Sequence, residues 1–115
     1  MEARLPDSDA PAVSTASTGG NVRLSGLLVC ASADEAEIVR ARLPLHVELT
    51  RAEPGCESFD VRETEEPLIW RVEERFADSA AFATHQARAA ASEWGRATAG
   101  IERRYTVVGL PPVAS

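Results

Sequence analysis

The chain has 115 residues, enough for one domain around one modest core. Its 18 acidic and 12 basic residues leave a net charge of −6, a field that repels phosphate backbones and argues against nucleic acid or an anionic membrane as partner. All 12 basic residues are arginine, the cation that best tolerates an ion pair shielded from water.

Residues 1–21 are rich in Ala, Ser, Thr, Pro, Asp and Gly, with almost no large apolar side chains, and read as a flexible tail. Residues 22–31 form a short, mostly apolar run that predicts a buried strand. Ser32 is placed to cap a helix whose first turn carries Asp34, Glu35 and Glu37, the favourable end of its dipole. That helix carries Val39, Leu43 and Val47 on one stripe and Ile38, Leu45 and Leu49 on another; Pro44 predicts a kink or a break within it. Glu53-Pro54-Gly55 signals a turn, with Gly55 supplying a positive φ.

Residues 56–64 alternate, with Phe59 and Val61 on one face, and Glu65-Glu66-Pro67 turns the chain. Residues 68–76 alternate again. Leu68, Trp70, Val72, Glu74 and Phe76 take one face, and Ile69, Arg71, Glu73 and Arg75 the other. Asp78 caps an alanine-rich helix predicted to run to about Arg96, Gly100 precedes a last strand over 101–108, and residues 110–115 end regular structure.

No apolar run approaches the ~20 residues needed to cross a bilayer, and the start of the chain lacks the pattern of a secretory signal. Cys30 and Cys56 share no metal-ligand spacing and are expected as reduced, buried thiols of a cytoplasmic protein. Two histidines and two cysteines on different elements give no metal knuckle, so no metal site is expected. A phosphate loop and a strand-to-helix serine elbow are likewise missing from the pattern.

The order β-α-β-β-α-β over residues 22–109 predicts a ferredoxin-like α+β domain: a four-stranded antiparallel sheet with two helices on one face. The other sheet face combines charged third-strand residues with Leu27 and Val29, which suits a homodimer packed sheet to sheet. His85 falls on the helix side shared by Phe82, Ala89 and Ser92, the side expected to meet the sheet. Glu74 points to the same layer from the strand end, so a carboxylate and an imidazole can meet there and act as an acid–base pair or a structural hydrogen bond. Trp70, Phe76 and Phe59 group around this pair as walls of an apolar slot or as core. His46 points inward if the first helix passes through Pro44, and Arg103, on one face with Tyr105, can reach a substrate oxygen or an interface partner.

The segments Glu53-Pro54-Gly55-Cys56-x-x-Phe59 and Glu74-x-Phe76-x-Asp78-x-x-Ala81-x-x-x-His85 resemble the antibiotic-biosynthesis-monooxygenase-like family, the small quinol monooxygenases. The resemblance spans residues 22–109 and implies a dimeric α+β barrel acting without a cofactor on a quinol-like or polycyclic aromatic substrate. It implies His85 as base or anion-stabilising donor and Glu74 as its orienter, with Trp70 and Phe76 available as walls; Phe59, Phe82, His46 and Arg103 are the further residues expected about the substrate. Haem-degrading relatives place an asparagine on the first strand and a tryptophan near the third-strand end, where this chain has Ser25-Gly26 and Phe76, so haem chemistry is not expected. A non-catalytic dimeric binding module and an isomerase of a small keto metabolite fit the same residues and stay open.

Overall fold

The computed structural model describes residues 21–110. The tails expected at 1–21 and 110–115 therefore lie outside the described residues, except for Asn21 and Leu110. Seven elements follow in order: β1 (Val22–Val29), α1 (Ala33–Arg51), β2 (Cys56–Glu63), β3 (Ile69–Phe76), α2 (Ser79–Ala91), α3 (Glu93–Ala97) and β4 (Glu102–Val108). The strands pair antiparallel in the order β2-β3-β1-β4. This is the split βαβ arrangement. The sheet is open, with β2 and β4 as its edges, and does not close into a barrel within the chain.

Parity decides which side chains meet the helices. Along β3, Trp70, Val72, Glu74 and Phe76 are buried while Arg71, Glu73 and Arg75 are exposed. On β1, Val22, Leu24 and Leu28 are buried, and Leu27 and Val29 are half-buried on the outer face beside Arg71 and Ile69. The inward residues other than Glu74 join Val39, Phe82, Trp94 and Ile101 in one apolar core.

α1 opens with two side-chain caps. The Ser32 hydroxyl accepts from the Glu35 amide at 3.3 Å, and the Glu35 carboxylate accepts from the Ala31 amide at 2.7 Å. The helix is not broken at Pro44 but continues to Arg51. Pro44 lies on the exposed side, while Ala36, Val39, His46 and Thr50 keep one buried face on both flanks of it. Packing on either side outweighs the one backbone bond that proline removes. The stripe of Leu45 and Leu49 faces outward, with 55% and 43% of these residues exposed.

Two further expectations are corrected. Gly55 does not have a positive φ; it is needed because a Cβ there would stand 2.2 Å from the Ala81 Cβ, where the turn presses on α2. The second helix does not reach Arg96 in one piece. It stops at Ala91, and Ser92 serves as the last cap of α2 and the first of α3. The Ser92 hydroxyl donates to the Ala89 carbonyl at 2.7 Å and accepts from the Gly95 amide at 3.2 Å, a local bonding choice that competes with helix continuation.

Candidate active site

α2 starts where β3 ends, with the Asp78 carboxylate accepting from the Ala81 amide at 2.8 Å. Two turns on, His85 sits between the helix and the sheet, 2% exposed. Its Nδ1 lies 3.1 and 3.2 Å from the two carboxylate oxygens of Glu53. Glu53 is in turn ion-paired with the Nε of Arg88, one turn further along α2, and Arg88 also donates to the Thr50 hydroxyl at 2.9 Å. A carboxylate has only lone pairs to offer, so the hydrogen of neutral His85 is on Nδ1 and the lone pair on Nε2.

That lone pair faces Glu74, whose Oε1 is 3.9 Å from Nε2, beyond hydrogen-bond distance. The ring is therefore oriented by Glu53 and not by Glu74, a correction to the role expected for Glu74. Sequence reasoning read Glu53 only as a turn residue. The available signal was its place in the Glu-Pro-Gly-Cys segment, which returns the chain from α1 to the sheet beside α2.

A cavity of about 500 Å³ opens at this pair, lined among others by His46, Phe59, Val72, Trp94, Arg103 and Tyr105. His46 stacks flat on Trp94, with ring centroids 4.6 Å apart and planes 6° apart, and Phe59 meets it edge-on at 5.3 Å. Of the residues expected around a substrate, Phe59, His46 and Arg103 line the cavity together with Glu74 and His85. Trp70, Phe76 and Phe82 do not. Trp70 lies two inward positions back along β3, opposite Leu28, with the Arg40 guanidinium 5.7 Å from its ring. Phe76 backs His85 at 4.8 Å, and Phe82 packs on Phe76 at 5.8 Å. These three are core. Trp94 and Tyr105 also line the cavity, which the sequence pattern does not foretell; the break at Ser92 is what turns Trp94 inward.

Burial dominates the electrostatics. It pushes the Glu74 carboxyl up to about 8, with the nearby Glu53 charge adding to the rise and Arg103 opposing it. Burial lowers the His46 imidazole to about 3, helped by His85, Arg88 and Arg103. His85 is lowered as well, by burial against the upward pull of Glu53, and Tyr105 is raised mainly by burial. At neutral pH the cavity thus presents a protonated carboxyl, two neutral imidazoles and a phenol. Its one cationic wall, Arg103, is anchored to the Thr98 and Ile101 carbonyls at 2.7 and 3.0 Å and to the Thr98 hydroxyl at 2.9 Å. Glu74 Oε1 and His46 Nδ1 are buried without a hydrogen-bond partner among the described residues. A buried base beside a buried neutral acid can move protons at a bound ring.

Among the described residues no group of three or more His, Cys, Asp or Glu is placed to hold a metal, and no helix is long and apolar enough to cross a membrane.

A family profile described as "Antibiotic biosynthesis monooxygenase" matches residues 29–97. No curated protein matches the chain. Among solved structures, Rv0793 from Mycobacterium tuberculosis superposes with a TM-score of 0.63 at 23% identity, over 84% of this chain and 100% of that one. A Nitrosomonas europaea protein whose name assigns it provisionally to the antibiotic biosynthesis monooxygenases gives 0.69 at 19%, over 80% of this chain and 91% of that one. A Caulobacter crescentus protein with the same provisional naming gives 0.60 at 19%, over 82% and 92%. At these identities the likenesses speak for the fold alone.

Proposed function

Because the chain belongs to the antibiotic biosynthesis monooxygenase family, we propose that it is a cofactor-independent monooxygenase of a planar, electron-rich hydroxylated aromatic substrate, a quinol being the simplest case. The observation that carries this reading is His85. Its imidazole is buried, tethered through Nδ1 to Glu53, and left with a free Nε2 lone pair beside the cavity.

His85 Nε2 takes the hydroxyl proton of the bound ring, and Arg103 and the protonated Glu74 offer charge and a hydrogen bond to the resulting anion. The anion supplies the electrons to molecular oxygen. One oxygen atom enters the ring and the other leaves as water, so a quinol becomes a hydroxyquinone. Phe59 and the stacked His46–Trp94 pair form flat walls suited to a ring.

Two further parts of the reading concern context. The outer sheet face sets Leu27 and Val29 among Arg23, Arg71, Arg75, Glu73 and Arg104, a composition suited to a homodimer packed sheet to sheet, and sedimentation that finds only monomer at micromolar concentration contradicts it. Cys30 and Cys56 are both free thiols, as befits a reducing cytoplasm.

Oxygen uptake with a series of reduced naphthoquinols, with no metal or flavin added, tests the activity. Uptake by the wild type that disappears in His85→Ala supports it; uptake no faster than autoxidation refutes it.

A further inference from the structure

The two arginines nearest His85 differ in what they meet. Arg88, outside the cavity lining, is ion-paired with Glu53. Arg103, the one cation on the cavity wall, donates to three neutral oxygens: the Thr98 and Ile101 carbonyls through Nη1 and the Thr98 hydroxyl through Nη2. Those bonds leave the Nε–H and one Nη2–H, which lie side by side on one edge of the guanidinium and match the two oxygens of a carboxylate. No other group lining the cavity supplies a counter-charge. Burial holds Glu74 and Tyr105 protonated and His46 and His85 neutral at pH 7. A half-buried cation therefore faces the cavity without an anion to pair with.

The strand register places this cation away from the base. Leu24 of β1 pairs with Glu74 on one flank, and Leu28 of β1 pairs with Arg103 on the other. Glu74 and Arg103 are thus four residues apart along β1, about 13 Å of strand. Both line the one cavity, and His85 Nε2 stands beside Glu74. Base and cation mark two ends of the space, so an anion held by Arg103 lies across the ring from a hydroxyl held at His85. Tyr105, on the same face of β4, feels the Arg103 charge and adds a neutral donor beside it.

We propose that the Nε–Nη2 edge of Arg103 is a carboxylate subsite, and that the cavity takes a fused-ring hydroxyaromatic acid whose hydroxyl and carboxylate lie at opposite ends. The carboxylate accepts from Nε–H and Nη2–H, with the Tyr105 hydroxyl as a further donor. Glu74 remains the direct donor to the oxyanion formed at His85. Holding both ends fixes which edge of the ring meets the base. The inference rests on the proposed function for the hydroxyl at His85, and it adds the charge and the length of the substrate.

The test is equilibrium binding of 6-hydroxy-2-naphthoate to the full chain at pH 7, read by the fluorescence of the ligand. Its methyl ester, which keeps the ring and the hydroxyl without the charge, is the comparison. The wild type is expected to bind the acid at least about tenfold tighter than the ester, and Arg103→Gln to bind both about equally, with ester affinity unchanged. Arg103→Lys is expected to keep a smaller preference, because a point charge lacks the fork. A wild type that binds the ester as tightly as the acid, or binds neither, overturns the proposal, as does Arg103→Gln with its preference intact. If Arg103→Gln binds neither ligand, its hold on Thr98 having been lost, Arg103→Lys decides: a preference for the acid supports the subsite, and its loss overturns it. Parallel oxygen uptake with naphthoquinols separates the failures. Acid preference without uptake removes the monooxygenase reading and leaves the subsite, whereas uptake without acid preference removes only the subsite.

Discussion

The two faces of β3 place identical side chains in different chemistry. Glu73 points outward, exposed, with its carboxylate 4.0 Å from the Arg62 guanidinium on the sheet surface. Glu74, the next residue, points under α2, is raised to about 8, and faces an imidazole. One step along a strand turns a solvated charge into a buried acid, because period-two alternation reverses the environment at every residue. The inner face of β3 carries one ionisable group, whose Oε1 is buried without a hydrogen-bond partner among the described residues; the outer face carries Arg71, Glu73 and Arg75, screened by water and by one another.

The sharpest test of that contrast is His85→Ala. Under α2 it removes the base whose lone pair is aimed at Glu74, and loss of about 100-fold or more in oxygen uptake is expected. Retention of wild-type uptake would move the chemistry elsewhere in the molecule. Glu53→Ala comes next. It frees His85 Nδ1 and leaves the half-buried Arg88 guanidinium without its carboxylate. The expected cost is about 2 kcal/mol in urea denaturation and roughly tenfold or more in uptake as the ring loses its tautomer and aim. Nitrogen NMR of the His85 ring reads that second effect directly. A protein with normal stability, an unchanged ring spectrum and normal uptake would mean that Glu53 does not orient it.

Much of this arrangement is legible in the sequence, and what is legible shares a cause. Alternation along β3 places Glu74 inward, helical phase places His85 inward, and Ser32 and Asp78 mark their helix starts, because each signal is periodic or adjacent in sequence. His46 is legible only on condition that α1 passes Pro44, which tertiary packing decides. Glu53 lies between elements, where no period assigns a direction. Trp94 depends on whether Ser92 bonds its own neighbours or lets the helix run on, two local options of nearly equal cost. Gly95 favours the break, since a Cβ there would stand 2.1 Å from the Ala89 carbonyl, a contact that exists only once α3 has folded back.

The buried groups also predict a pH profile of stability. Glu74 ordinarily titrates near 4.5 but holds its proton to about 8 when folded. Between those values the folded state binds the extra proton, so its stability falls as pH rises. His46 ordinarily titrates near 6.5 but stays neutral down to about 3 when folded. Between those values the unfolded state binds the extra proton, so stability falls as pH drops. From 4.5 to 6.5 the two slopes oppose each other. These two contributions therefore cancel there, with losses of roughly 1 kcal/mol per pH unit on either side, and the lowered His85 adds to the acid-side loss below 6.5. Glu74→Gln should abolish the alkaline loss and spare the acid one. A wild-type curve that instead rises from pH 6.5 to 8 would show that Glu74 is ionised in the folded protein.

Glu73→Gln carries the smallest expected effect and tests the parity argument from the other side. The side chain loses a screened, long contact with Arg62, so stability should change by less than about 0.5 kcal/mol. The alkaline slope set by Glu74 should remain, because Glu73 is separated from that carboxyl by the thickness of the sheet. Any consequence should appear in self-association, where Glu73 sits among the arginines of the outer face. Sedimentation and a pH–stability curve on the same variant read the two properties separately. If Glu73→Gln flattened the alkaline limb as Glu74→Gln is expected to do, the charge of the outer face would be reaching the cavity, and the sheet would not be the electrostatic divide that β3 describes.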